Sequence, residues 1–254
     1  MFRVVIPARY ASARLPGKVL QPLAGKPMLQ WVYERACASG AGEVLIATDD
    51  ERVRAAARTF GAQAVLTDVH HASGSDRIAE VACTRGWRAD EIVVNVQGDE
   101  PLLPPALIGQ VAALVAAESE ADIGTLATPI ESLAELMDPN AVKVVADARG
   151  RALYFSRAPI PWNRDGAAAG LMSQRDFAGA WRHVGLYAYR VAPLARLARL
   201  APGLLEQRER LEQLRAIEHG MRIYVAEARE RPGPDVNTLA DLERASALLA
   251  QVGS

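Results

Sequence analysis

Residues 91–101 read Glu91-Ile92-Val93-Val94-Asn95-Val96-Gln97-Gly98-Asp99-Glu100-Pro101. From Glu91 to Val96 the run is β-branched nearly throughout, without apolar-polar alternation, which is the pattern of a strand buried on both faces. This strand is therefore expected at the centre of a sheet. It ends on an amide, a glycine and two adjacent carboxylates, at the strand edge where open α/β sheets bind ligands.

Upstream of it, short apolar runs alternate with helical patterns: Phe2 to Ala8, Met28 to Ser39, Val44 to Thr48, Asp50 to Phe60, Gln63 to Leu66 and Ser75 to Arg85. Such alternation marks successive βαβ units and a mainly parallel sheet with helices on both faces. Downstream, a helix follows Pro104 and Pro105, and a strand spans about Ile123 to Thr128. Val142 to Ala146 and Ala152 to Phe155, joined through Asp147, Arg149 and Gly150, predict a hairpin, so a small antiparallel subregion joins the sheet. After a loop from Trp162 to Gly170 come a strand, His183 to Arg190, helices Ala192 to Leu200 and Leu204 to Glu218, a last strand, Arg222 to Ala226, and a helix from Thr238. The fold class is α/β, a mixed and mostly parallel sheet. With no repeat or linker in the chain, residues 1–254 are expected to form a single domain.

The 254 residues carry 29 Lys plus Arg against 30 Asp plus Glu, a formal charge of -1. That leaves no global field to hold nucleic acid or an anionic membrane surface, so any anion site must be local. The longest charge-free stretch, Pro101 to Ala117, contains three prolines and is too short to span a bilayer roughly 30 Å thick. Pro7 and Arg9 break the N-terminal apolar run before it reaches the length of a signal-peptide core, so a cytoplasmic protein is expected. Cys37 and Cys83 lie in helical segments with no close partner or His cluster, and are expected as buried free thiols in a reducing compartment. No G-x-G-x-x-G follows a predicted strand, which discounts a dinucleotide dehydrogenase.

Two clusters carry chemistry. The loop after the first strand, Pro7 to Lys18, places Arg9, Arg14 and Lys18 among small residues at a strand's carboxyl end. A polyphosphate suits it: Arg14 can clamp two oxygens bidentately and Lys18 can act as a point charge on a leaving group. It is no P-loop, because Val19 stands where a magnesium-binding Ser or Thr belongs and Ser12 replaces a glycine. In the second cluster, Asp99 at the end of the central strand suits a hard cation, and magnesium usually takes one or two carboxylates plus substrate phosphates.

Seven motifs in fixed order, RYASARLPGK (9–18), HASGSDR (71–77), VNVQGDEP (94–101), NAVKVV (140–145), ALYFSRAPIPW (152–162), RHVGLYAYR (182–190) and LEQLR (211–215), resemble the 3-deoxy-manno-octulosonate cytidylyltransferase family. The resemblance runs from Val4 to about Leu242. It implies a Rossmann-like nucleotidyltransferase fold and a reaction that joins CTP to the eight-carbon sugar acid Kdo, with pyrophosphate released and Mg2+ as cofactor. It implies that Arg14 and Lys18 grip the triphosphate and that Asp99 holds the metal. Pro7, Ala8, Arg9, Ser73, Gly74, Arg77 and Gln97 then surround the nucleotide, with Arg77 facing the cytosine edge. Arg157 would pair with the sugar carboxylate, and Gln97, His183, Tyr187, Glu212 and Gln213 would meet the rest of the sugar.

The same resemblance implies a homodimer with its interface near residues 140–162, inside a sugar-binding and dimerisation subregion around 130–215. Its relatives carry a Val-Asp-Thr triplet whose Asp is the second metal ligand; this chain has Val236-Asn237-Thr238. Asn237 can ligate through its amide oxygen or cap the following helix, and Asp235 is the other possible ligand. Two other readings remain open: another sugar acid as acceptor, such as an amino-substituted Kdo or sialic acid, and a sugar-nucleotide-binding protein that has lost catalysis.

Overall fold

The structure is a computed structural model that describes residues 1–11, 15–166 and 169–252. Eleven strands and nine helices run in the order β1 (Phe2–Pro7), β2 (Pro22–Leu23), β3 (Lys26–Pro27), α1 (Met28–Cys37), β4 (Glu43–Thr48), α2 (Glu51–Thr59), β5 (Gln63–Leu66), α3 (Gly74–Thr84), β6 (Ile92–Asn95), α4 (Pro105–Ala117) and β7 (Ile123–Pro129) among the described residues. They continue with α5 (Leu133–Met137), β8 (Lys143–Ala146), β9 (Ala152–Ser156), β10 (Trp181–Arg190), α6 (Val191–Leu197), α7 (Leu204–Glu209), α8 (Gln213–Glu218), β11 (Ile223–Glu227) and α9 (Leu239–Val252).

The main path of the sheet is β11-β7-β10-β6-β1-β4-β5, so β6 is the central strand, as its composition requires. Strands β6, β1, β4 and β5 pair in parallel, with Val4 opposite both Val94 and Val44. The antiparallel member is β10, which lies between β6 and β7 and also reaches the β8-β9 hairpin. Alternate residues of the central strands serve opposite layers. Val4, Ile6 and Val94 pack on Leu29 and Val32 of α1 and on Leu107 and Val111 of α4. Val5 and Val93 pack on Ile78 and Val81 of α3 and on Leu194 and Leu214 of α6 and α8. With both faces covered, no position in β6 favours a charged residue.

A smaller cluster anchors the C-terminal segment. Leu23 and Met28 pack against Ala245 and Leu249 of α9 and against Val236, all buried. Val236 N–H also donates to the carbonyl of Asp99 at 3.0 Å, so the segment preceding α9 is held against the turn after β6.

Three sequence expectations are corrected. The pattern Leu204 to Glu218 is two helices, because Arg210 takes a left-handed φ of 55° between them. No residue of α7 is buried, whereas Leu211 and the first four residues of α8 are, and the turn at Arg210 swings that second set into the core. Cys37 and Cys83 are exposed free thiols and not buried ones, since both fall off the apolar faces of α1 and α3. The strand expected from His183 begins at Trp181, where it gains partners on β7 and β8.

Leu107→Ala removes a fully buried side chain from the α4 layer and is expected to cost about 2–5 kcal/mol in a urea-unfolding measurement. Cys37→Ser is expected within about 0.5 kcal/mol of the parent. Both thiols should react with a thiol reagent in the native state; protection of either would contradict its exposure.

Candidate active site

The site forms where β1 and β6 end. Pro7, Arg9, Lys18, Gly74, Gln97 and Asp99 line a hollow of about 230 Å³. A second hollow of about 300 Å³ shares Gly74 and Gln97 with it and is lined farther on by Ser73, Tyr187, Glu212 and Gln213. The two are ends of one cleft. Its floor favours a glycine: a Cβ at Gly98 would lie 3.1 Å from the carbonyl oxygen of Pro7, so the backbone would have to give by a few tenths of an ångström. Arg9 ties two rims together by donating from Nη2 to the carbonyl of His71 at 2.6 Å. Ala8 is buried at the end of β1 beneath them. Arg14, expected on the triphosphate, lies outside the described residues.

Lys18 occupies the centre of the charged end. Its Nζ donates to Asp99 Oδ2 at 2.6 Å and to the Val236 carbonyl at 3.0 Å, and lies 3.5 Å from Asn237 Oδ1. The side chains of Lys18 and Asp99 are 12% and 30% exposed, so the pair is partly withdrawn from water yet open to the cleft. Three oxygens thus converge on one positive charge. Asn237 does not cap α9. Thr238 and Asp241 do: the Asp241 backbone N–H donates to Thr238 Oγ1 at 3.2 Å, and Asp241 Oδ2 accepts from Thr238 N–H at 2.9 Å. This is the reciprocal arrangement of a capping box, and it leaves the Asn237 amide oxygen facing Lys18.

Two further carboxylates stand nearby. Glu100 has its Oε2 buried without a hydrogen-bond partner. Burial, followed by the charges of Asp235 and Asp99, holds it well above the usual carboxylate range. Asp235 lines a separate, inner cavity with Glu100. Among the described residues no three His, Cys, Asp or Glu side chains are placed to hold a metal ion by themselves.

At the other end of the cleft, Ser73 caps α3, accepting from Asp76 N–H at 3.2 Å while Asp76 Oδ2 accepts from Ser73 N–H at 3.0 Å. The Ser75 hydroxyl donates to Glu212, and burial raises the Glu212 carboxyl above its ordinary range against the pull of Ser75 and Ser73. Gln97 Nε2 donates to Asn95 Oδ1 at 3.1 Å, which turns its amide oxygen toward the cleft it lines.

Two expected ligands stand elsewhere. Arg77 is fully buried and pairs through Nη2 with Asp49 Oδ2 at 2.8 Å, while Nη1 donates to Thr67. Its guanidinium braces the ends of β4 and β5 and does not line the cleft, which corrects its assignment to the base. Arg157 lines neither hollow. Its Nε donates to the carbonyl of Glu209 at 2.7 Å and its Nη1 to that of Pro139 at 2.8 Å. Beside it, the buried Lys143 donates to the carbonyl of Asp138 at 2.8 Å, and burial lowers its ammonium from the ordinary lysine range. Together these two cations fix residues 138–140 and so place Asn140 at the inner cavity, which His183, Arg182 and Gly185 also line.

His183 is therefore in the inner cavity and Tyr187 in the cleft, although their rings touch with centroids 5.3 Å apart. Their register partners on β7, Ala127 and Thr125, lie two residues apart, so both side chains share one face of the sheet, and the irregularity of β10 between Val184 and Tyr187 leaves that face unchanged. Sequence reasoning did not single out Asn140 and Arg182, although both fall inside quoted motifs. It also missed Thr125, which reads as an ordinary β-branched strand residue.

Comparison with known proteins agrees with this geometry. A family model described as cytidylyltransferase matches residues 3–223. The 3-deoxy-manno-octulosonate cytidylyltransferase of Thioalkalivibrio sulfidiphilus is 56% identical over 98% of both chains, and that of Pseudomonas fluorescens is 55% identical over 98% of both. A solved structure of CMP:2-keto-3-deoxy-manno-octonic acid synthetase complexed with CTP superposes with a TM-score of 0.89 at 43% identity, covering 99% of this chain and 100% of its own. A cytidylyltransferase from Leptospira borgpetersenii, 15% identical with a TM-score of 0.63 over 98% of this chain and 86% of its own, shares the fold. Cations and a carboxylate at the ends of β1 and β6, a polar hollow beside them and relatives matching nearly end to end converge: this chain is a nucleotidyltransferase belonging to the cytidylyltransferase family, among the 3-deoxy-manno-octulosonate cytidylyltransferases.

Proposed function

We propose that the chain transfers the cytidylyl group of CTP to the anomeric hydroxyl of 3-deoxy-manno-octulosonate, releasing pyrophosphate and giving the CMP-sugar used in lipopolysaccharide assembly. The observation that carries this reading is the single cleft that runs from Arg9 and Lys18, past Asp99 and Gln97, to Tyr187, Glu212 and Gln213, in a chain 56% identical to an enzyme of that name. The anomeric oxygen forms a bond to the α-phosphorus as the bond from that phosphorus to the β-phosphate oxygen breaks. Pyrophosphate leaves with the electron pair, and the hydroxyl proton is lost to solvent or a neighbouring base. No covalent enzyme intermediate is needed, so the protein contributes alignment and charge stabilisation.

Residue roles follow from position. Arg9 and Lys18 face the phosphates, with Arg14 on the same loop, and Pro7, Ala8, Ser73 and Gly74 frame the nucleotide. The amide of Gln97, shared by both hollows, meets nucleotide and sugar together. Tyr187, Glu212 and Gln213 receive hydroxyls of the sugar acid in the cleft, and His183 receives one from the inner cavity. Arg157, held by backbone carbonyls, positions residues 138–140 and reaches a carboxylate only through Nη2.

A divalent cation fits between Asp99 and Asn237, because their oxygens already surround the Lys18 ammonium. Magnesium bound there would neutralise phosphate charge. Lys18 then serves two partners, Asp99 in the free protein and a phosphate in the complex. With so few protein carboxylates, the cation is expected to bind weakly until CTP supplies oxygens. We also read the chain as a cytoplasmic homodimer. Free exposed thiols suit a reducing compartment. Leu153 and Trp162, 57% and 54% exposed within the segment 140–162, support an interface there.

With CTP, 3-deoxy-manno-octulosonate and magnesium, the purified protein should release pyrophosphate in a coupled assay; no release with any sugar acid would sink the proposal. Asp99→Asn should lower turnover roughly 10²-fold or more, the scale of losing one preorganised electrostatic group, with its circular dichroism unchanged. Asn237→Asp should reduce the half-saturating magnesium concentration severalfold. If Asp235→Asn collapses activity and Asn237→Asp is silent, the second ligand is Asp235. Sedimentation should show a dimer that Leu153→Glu dissociates, and a monomeric parent would remove the dimer.

A further inference from the structure

Strands β7 and β10 pair in register from Trp181 to Val184, with His183 opposite Ala127 and Val184 opposite Leu126, and again from Tyr187, opposite Thr125. Gly185 and Leu186 are therefore extra residues on β10, and a bulge of this kind re-aims neighbouring side chains. The fully buried Thr125 hydroxyl sits inside it. Its Oγ1 lies 2.8 Å from the carbonyl oxygen of Leu186, 3.1 Å from that of Val184 and 2.9 Å from His183 Nε2.

That geometry has one consistent proton arrangement. A hydroxyl has one proton and two lone pairs, and carbonyl oxygens only accept. If the Thr125 proton went to His183, both carbonyls would face hydroxyl lone pairs with no proton between. The proton therefore goes to the carbonyls, Leu186 at the shorter distance, and a hydroxyl lone pair accepts from His183 Nε2–H. The ring is neutral, since burial drives its pKa down to about 3. Its remaining nitrogen, Nδ1, then carries a lone pair. That atom has no partner among the described residues and is not sealed from solvent, and the ring lines the inner cavity of about 160 Å³ with Glu100, Asn140, Arg182, Gly185 and Asp235.

We propose that Thr125 is a positioning residue that locks His183 in the Nε2–H tautomer, so that the inner cavity presents a hydrogen-bond acceptor at Nδ1 and selects a hydroxyl of the sugar acid, not its carboxylate. This rests on the reading of the cleft as the sugar-acid site and adds the orientation of the ligand within it. An acceptor nitrogen takes the proton of a hydroxyl, which a carboxylate lacks, so the carboxylate end of the substrate points away from Nδ1, although Arg182 also lines the cavity. Phe155 and Tyr187 hold the ring from two sides, with centroids 5.0 and 5.3 Å away, so it keeps the orientation the hydroxyl sets.

The test combines ¹⁵N NMR of the histidine ring with steady-state kinetics. In the parent, His183 should show a protonated Nε2 and an unprotonated Nδ1 at neutral pH. Thr125→Ser, which keeps the hydroxyl, should preserve that tautomer and the KM for the sugar acid. Thr125→Val leaves a buried N–H without an acceptor; it should move the proton to Nδ1 and raise the KM for the sugar acid roughly tenfold, the scale of one unsatisfied buried hydrogen bond, with the KM for CTP unchanged. A protonated Nδ1 in the parent overturns the assignment even if the valine variant does not fold, as does a valine variant whose tautomer matches the parent's. If the tautomers behave as stated but His183→Ala leaves the sugar-acid KM unchanged, the inner cavity is not part of the sugar site and the ligand orientation is wrong.

Discussion

Burial of β6 on both faces is the constraint from which the site follows. Its four residues are all buried between α1 and α4 on one side and α3 and the α6-α8 layer on the other, so the strand carries no charge and the first charged side chain after it is Asp99. Gln97 and Asp99 therefore arrive at the sheet edge at fixed height, beside the end of β1. The parallel pairing of β1 with β6 sets their ends side by side, and Lys18 reaches the same place, its Nζ 2.6 Å from Asp99 Oδ2.

The Lys18–Asp99 pair shows how a charged site is kept ready without a ligand. An unpaired charge partly withdrawn from water is costly, and each group relieves the other. The Val236 carbonyl and Asn237 amide complete the set, placed there by an unrelated apolar cluster of Leu23, Met28, Val236 and α9. The terminal helix thus fixes an amide oxygen in the site, and its Asp241 also accepts from the Asn237 backbone N–H at 3.2 Å. The pair stays open to the cleft, as its partial exposure shows.

Much of this was legible in the sequence, for identifiable reasons. The limits of β5 and the central place of β6 came from apolar runs whose length and β-branching leave little choice. Lys18, Asp99 and Gln97 stand out because charged and amide groups follow strand ends, whereas Glu212, at the start of a helix, was singled out only by the motif LEQLR. What was not legible depended on neighbours distant in the chain. Arg77 looks like a ligand in HASGSDR until Asp49 and Thr67 are brought to it by β4 and β5. Asn237 looks like a helix cap until Thr238 and Asp241 are seen to cap each other. The break at Arg210 needs a left-handed residue that is not glycine, and no local signal marks it. Thr125 was invisible because its role exists only where two extra residues of another strand fold around it.

The central claim is a single displacement at the α-phosphorus by the sugar hydroxyl, with Lys18 and Asp99 aligning the reactants and no protein nucleophile taking part. The stereochemical course at that phosphorus tests it most directly. With CTP made chiral by sulfur substitution on the α-phosphate, one in-line displacement gives a CMP-sugar of inverted configuration. Inversion is the expected result. Retention would mean two displacements through a covalent enzyme intermediate, and would contradict a cleft whose residues only align the reactants and stabilise charge.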